Sequence, residues 1–190
     1  MFMSLKPNAC LLCIDFINDI VSEQGKLAWK WYFNYVQEYN TISHASKLLK
    51  EFRSEDMLVV HCKVWFSPSY VDRPEHSPLF GKAKEYQALK LGERWTQIHD
   101  QMKPNTDEIV LIKNRVSAFF GTSLEALLHL NSIENIYVIW IATDLAVQSA
   151  VREWHDRDFN IFVPKDCCGA ANRKDHLHAI DALKKVATII

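Results

Sequence analysis

Six short apolar runs, separated by segments of helical periodicity, constrain what this chain can fold into more than any other feature. They span residues 9–16, 57–66, 108–113, 135–142, 159–164 and 186–190, and each is rich in Val, Ile, Leu or aromatic residues. Strands that are apolar on both faces belong in a parallel sheet covered on both sides. The intervening segments predict helices over 32–52, 122–130, 143–157 and 173–185. In the first, Tyr35, Val36, Tyr39, Ile42, Ala45, Leu48 and Leu49 recur at three-to-four spacing. The second follows Gly121, with Thr122 or Ser123 as its N-cap. Strand–helix alternation implies right-handed βαβ units. The expected fold is α/β: one domain over 1–190, a three-layer Rossmann-like sandwich of about six mostly parallel strands with helices on both faces.

The 190 residues include only five glycines, Gly25, Gly81, Gly92, Gly121 and Gly169. None forms a G-x-G pair or closes a G-x-x-x-x-G-K pattern. A backbone without such glycines cannot close on phosphates. Dinucleotide enzymes, ATPases, GTPases and kinases of those types are therefore excluded, and no cofactor is expected. With 22 basic against 23 acidic side chains there is no electrostatic footprint for nucleic acid. No run approaches the ~18 apolar residues of a membrane helix. The first residues lack the cationic start and apolar stretch of a signal peptide. The five cysteines, Cys10, Cys13, Cys62, Cys167 and Cys168, are odd in number and four of them sit in strongly apolar runs. They read as buried free thiols of a cytoplasmic protein. Cys10 and Cys13 share an expected strand and should face opposite ways.

Residues 67–93 break the rhythm with Pro68, Pro74, Pro78, Gly81 and Gly92. A long irregular insertion at a strand's C-terminal end is commonly an active-site loop or contact surface. Ligands of doubly wound sheets bind beyond those strand ends. There the first run ends Ile14-Asp15-Phe16, the third Lys113-Asn114-Arg115 and the fourth Ala142-Thr143-Asp144. An Asp and a Lys at the ends of neighbouring central strands would hold each other charged and exchange a proton with a substrate. A purely structural buried ion pair has the same spacing.

Four segments in order resemble the isochorismatase-like hydrolases. The first is the opening strand 9–19 with Asp15. The second is Lys113-Asn114-Arg115-Val116-Ser117-Ala118-Phe119-Phe120-Gly121-Thr122, similar to the family's lysine motif. The third is Ala142-Thr143-Asp144-Leu145-Ala146-Val147, and the fourth is Val163-Pro164-Lys165-Asp166-Cys167-Cys168-Gly169 with His176 beyond it. The resemblance implies a hydrolase of a small molecule, with Asp15 and Lys113 catalytic. The family's nucleophilic Cys would fall at Ala146, which has no thiol. Three readings stay open: a natural branch acting on an amide or vinyl-ether bond without cysteine, an engineered loss of the nucleophile, or a silent relative that binds or scaffolds. Trp140 stands where the family usually has Gly, a second departure that favours natural divergence.

The resemblance implies further placements. A cis peptide would join Ile141 to Ala142, aiming amides up to Leu145 and Ala146 at an oxyanion. By their positions beside the expected acid, base and second-strand end, Phe16, Phe119 and Trp65 are wall candidates, while Cys62 reads as a buried core thiol that would at most border the site. Residues 29–33, an aromatic run, would cover the site or fill a subunit interface. The nicotinamidases' Asp-x-His metal pattern is missing after the second strand, where only Asp72 and His76 stand, so no metal is expected. Family members usually assemble, so a homo-oligomer, dimer or larger, is expected.

Overall fold

The computed structural model describes residues 5–27, 32–143 and 147–190. Six strands form one sheet: β1 (Ala9–Ile14), β2 (Leu58–Val64), β3 (Ile109–Lys113), β4 (Asn135–Trp140), β5 (Asn160–Val163) and β6 (Thr188–Ile189). Their order is β3-β2-β1-β4-β5-β6, and every pairing is parallel. This is the doubly wound order, whose topological switch lies between β1 and β4. All six residues of β1 and of β4 are buried, as central strands covered on both faces must be.

The helices are α1 (Asn18–Val21), α2 (Phe33–Glu38), α3 (Thr41–Ser54), α4 (Leu124–Leu130), α5 (Gln148–His155) and α6 (Arg173–Leu183). Side chains alternate across the sheet, so it divides the core in two. Leu11, Cys13, Tyr137 and Ile139 meet Val36, Leu49 and Phe52 of α2 and α3 on one face. Cys10, Leu12, Ile14 and Val138 meet Leu128, Val151 and Leu183 of α4, α5 and α6 on the other. Cys10 and Cys13 thus face opposite ways, and all five cysteines are buried and free. Among the described residues no helix is long and apolar enough to cross a membrane.

The expected helix 32–52 is two helices. Asn40 adopts a left-handed conformation (φ 50°, ψ 33°) and breaks the run; Asn tolerates this region far better than most residues. The second expected helix starts at Leu124 rather than at 122. The Thr122 hydroxyl is spent on the Ala118 carbonyl, 2.6 Å away, and accepts from the Leu124 N–H.

Residues 67–93 contain no regular helix or strand, yet they are tightly held. The Phe66 N–H donates to Leu89 O at 2.7 Å, and the Leu91 N–H donates to Phe66 O. The Tyr70 hydroxyl donates to Ala88 O. Buried Asp19 accepts from the N–H groups of Leu89 (2.6 Å) and Lys26 (3.2 Å), tying the insertion to the end of β1. Within the insertion Gly81 allows a close backbone approach, since a Cβ there would stand 2.5 Å from Glu75 O.

Candidate active site

Asp15 follows the last residue of β1 and turns out of the sheet at φ +57°. Its N–H still donates to Cys62 O on β2. One carboxylate oxygen accepts from the Val64 N–H at 2.7 Å, the other from Lys113 Nζ at 2.7 Å. Both residues are almost sealed, Asp15 4% and Lys113 3% exposed. The ammonium also donates to Arg115 O at 3.2 Å and lies 4.9 Å from the centre of the Trp140 ring. Burial pushes the Asp15 carboxyl above its ordinary value, and the Lys113 charge and the Val64 N–H pull it back only part of the way.

The pair exists, but not through neighbouring strands. β2 lies between β1 and β3, and β3 is a sheet edge. Lys113 pairs in register with Val64, and its long side chain reaches past the end of β2 to Asp15. Val64 completes the contact from the strand it crosses. Asp15 therefore meets one residue from each of the three strands beside it, because Trp140 of β4 stands opposite Ile14.

A cavity of about 140 Å³ opens over this pair. Asp15, Lys113, Val64, Trp140, Ile141 and Ala142 form its floor, from the strand ends. Its walls come from Ile20, Leu27 and Tyr32 on one side and from Pro78, Leu79, Phe80, Ala83, Tyr86 and Leu89 of the insertion on the other. Lys82 stands at the exposed edge of this wall. Engineered cavities of about 150 Å³ accept a benzene ring, so the enclosed space suits one small ring or its equivalent.

Several expected wall residues lie elsewhere. Phe16 is buried in the core beneath, where its carbonyl accepts from the His99 N–H. Phe119 faces the other side of the sheet, edge-on to Trp154 at 5.7 Å and under the Arg157 guanidinium. Trp65 borders a separate surface hollow with Ser67, Asp72 and Asn114. Trp65 follows Val64, which does line the cavity, and adjacent residues on extended backbone point to opposite sides; Phe16 follows the left-handed turn at Asp15, and Phe119 lies six residues beyond the end of β3. Cys62 is buried beside the pair without lining the cavity.

Ile141 and Ala142 do line it. The peptide between them is trans, not cis, as are all peptide bonds among the described residues. Here the backbone runs on from β4 alongside Gly169, whose N–H donates to Trp140 O and whose carbonyl accepts from the Thr143 N–H. That pairing suits extended trans backbone. Asp144, Leu145 and Ala146 lie outside the described residues, as do Ala28, Trp29, Lys30 and Trp31. Thr143, at the boundary, is anchored by a 3.0 Å bond between its hydroxyl and His176 Nδ1.

Every thiol is held protonated by burial. Cys62 and Cys168 are pushed up to about 12, and Cys10, Cys13 and Cys167 are also raised. Both Asp72 carboxylate oxygens accept from the Ser67 N–H, and one also from its hydroxyl. Among the described residues no three His, Cys, Asp or Glu side chains converge as a metal site requires. The residues that sequence reasoning missed are the insertion's Phe80, Tyr86 and Leu89. The insertion's position after β2 signals them as a group, but nothing marks them individually.

A family model described as the Isochorismatase domain matches residues 9–190. The isochorismatase family protein YecD of Escherichia coli O157:H7 is 29% identical over 143 residues, covering 74% of this chain and 72% of that protein. The ureidoacrylate amidohydrolase RutB of Rhizobium rhizogenes is 24% identical over 163 residues, covering 80% of this chain and 66% of that protein. The crystal structure of an isochorismatase family protein from Desulfovibrio vulgaris shares the fold, with a TM-score of 0.87 at 20% identity over 97% of this chain and 94% of that one.

Proposed function

This chain belongs to the isochorismatase family, and from that premise we propose that it hydrolyses a small molecule at a vinyl-ether or amide bond without a cysteine nucleophile. The observation that carries the reading is the sealed Asp15–Lys113 pair on the floor of a ring-sized cavity. Asp15 is the general acid/base. Burial raises its carboxyl, which makes the protonated form more accessible than that of a free aspartate. Acting on a vinyl ether, it protonates the terminal alkene carbon. Water then adds to the resulting oxocarbenium carbon, and the hemiketal splits into a carbonyl compound and an alcohol. The proton lost by the water returns to Asp15.

Acting on an amide, the ionised carboxylate takes a proton from the attacking water and passes it to the leaving nitrogen. The similarity to the ureidoacrylate amidohydrolase RutB supports keeping this bond type. In both reactions Lys113 fixes one carboxylate oxygen and leaves the remaining lone pairs for water or substrate. None of the described cysteines is available as a thiolate, which favours a carboxylate mechanism. The active form is a homo-oligomer, which light scattering of the purified protein checks.

The test is a panel of small vinyl ethers and primary amides incubated with the protein and followed by proton NMR. Asp15→Asn is expected to lower turnover at least ~100-fold, the scale of a lost general acid. Activity that survives this change sinks the role of Asp15. Ala146→Cys is expected to add no amidase activity. A trapped acyl-enzyme in that variant overturns the thiol-free reading in favour of a lost cysteine hydrolase. No turnover on any member, with ligand binding retained, leaves a binding protein instead.

A further inference from the structure

Trp140 is fully buried, lines the cavity floor and touches both members of the central pair. Its ring centre is 4.9 Å from Lys113 Nζ, the distance of a cation–π contact. The ammonium has three N–H bonds. Two have oxygen acceptors, Asp15 and Arg115 O, and the indole face supplies the remaining side. The indole N–H lies beside the Asp15 carboxyl yet makes no hydrogen bond of good geometry, and it is sealed from solvent. A buried donor without an acceptor is costly, and few survive in native proteins without a reason. Here the missing acceptor is adjacent.

We propose that Trp140 is a positioning residue that holds the Asp15–Lys113 pair from its open side, its ring face against the ammonium and its indole N–H reserved for the carboxylate as that carboxylate moves. The inference deepens the proposed hydrolase reading but is tested without substrate. Trp140 follows directly from register, since it stands opposite Ile14 on β4, one residue short of Asp15. A glycine at this position would leave the third side of Lys113 open to the cavity. Among the described residues, the groups facing Asp15 are Lys113 from β3, the Val64 N–H and the protonated Cys62 thiol from β2, and Trp140 from β4.

The experiment follows the Asp15 side-chain carbon and the Trp140 indole N–H by NMR between pH 3 and 9, in the full chain labelled at Asp and Trp. In the wild type the indole resonance is expected to shift with the same midpoint as Asp15, and to lose that step in Asp15→Asn. Trp140→Phe keeps a ring against Lys113 and loses the N–H. It is expected to raise the Asp15 midpoint by about half a unit or more, because a donor to the charged form is gone. Trp140→Leu loses both contacts and is expected to raise it further. A residue that merely fills space would lower the melting temperature and leave the midpoint where it was. An indole resonance that ignores the Asp15 titration, or a Trp140→Phe midpoint unchanged from the wild type, overturns the proposal. Trp140→Phe alone decides it if Trp140→Leu does not fold. Absence of turnover on the substrate panel bears on the hydrolase reading only, so the two failures are distinguishable.

Discussion

Lys113→Met removes the ammonium while keeping most of the side chain's length. Asp15 is then left at 4% exposure with the Val64 N–H as its one direct hydrogen bond. Removing one partner of a buried pair costs about 3–5 kcal/mol. pH dependence sharpens that figure. A carboxyl whose folded pKa lies above its unfolded value contributes its full stability below the unfolded pKa and loses it as pH rises. The loss stops growing once the folded residue simply keeps its proton. Its ceiling is therefore about 1.36 kcal/mol for each pH unit above the free Asp value of about 3.9, or about 4 kcal/mol at pH 7 and about 1.5 kcal/mol at pH 5. The wild type already carries part of this burden, because burial raises Asp15 even with Lys113 present. Measured differences fall below the ceilings accordingly. Urea unfolding of the wild type, Lys113→Met and Asp15→Asn/Lys113→Met at both pH values reads the effect. The single variant's deficit is expected to be at least twice as large at pH 7 as at pH 5 (the ceilings differ by more than that), and the double variant is expected to recover most of it. A deficit independent of pH, or a double variant no more stable than the single, refutes the claim that the buried carboxylate is what Lys113 compensates.

Three further outcomes are expected. Glu108 accepts from Arg53 at 2.7 and 2.8 Å and meets His61 at 3.0 Å, and these partners hold its carboxyl down at about 2. Its contribution is present above the ordinary Glu value and is lost as pH falls toward 2, so the stability gap between wild type and Glu108→Gln should narrow from pH 7 to pH 3 in urea melts. All five thiols are buried, so Ellman's reagent at pH 8 should label none in the native protein and all five in guanidinium. Gly81→Ala would press a methyl on the carbonyls of Glu75 and Ser77 at 2.5 and 2.6 Å. Limited proteolysis within residues 67–93 should accelerate while the global melting temperature changes little.

The sheet was legible because a central parallel strand must be apolar on both faces. The runs at 9–16 and 135–142 could be little else, and each overshoots its strand by two residues. The ends were less legible because apolar residues continue past the last ladder bond into the site. Asp15 and Lys113 were legible as a pair, since strand-end charges have few roles. Their separation by β2 was not, because parallel strand order leaves no local trace. Phe16, Phe119 and Trp65 failed for a more elementary reason. Nearness in sequence is not nearness in space: alternation turns Trp65 away from the side that Val64 lines, the turn at Asp15 sends Phe16 into the core, and Phe119 lies beyond the end of β3 against Trp154. The break at Asn40 was hidden because its neighbours keep the helical period on both sides of it.

The backbone at Asp15 explains how an edge lysine comes to serve a central aspartate. Continued extension after Ile14 would carry the next side chain straight above the sheet, with Lys113 two strands away. Instead Asp15 turns at φ +57°, a left-handed conformation that costs a residue with a Cβ roughly 1–2 kcal/mol. Asp is among the few residues that visit this region, because its short polar side chain finds local hydrogen bonds. Here those bonds are the Asp15 N–H to Cys62 O and the Val64 N–H to the carboxylate, both on β2. They turn the carboxyl sideways over the end of β2, toward β3. A lysine stem then spans the remaining distance, while the other side of the carboxyl stays toward Trp140 and the cavity. Asp15→Asn keeps this turn available, since Asn tolerates the same conformation. That variant therefore separates the loss of charge from the loss of shape. Asp15→Val would lose both, and circular dichroism with thermal melts should show Val more destabilising than Asn, since both leave Lys113 without its carboxylate and only Val also loses the turn. If Asn and Val destabilise equally, the strained turn is not what aims the carboxylate at Lys113.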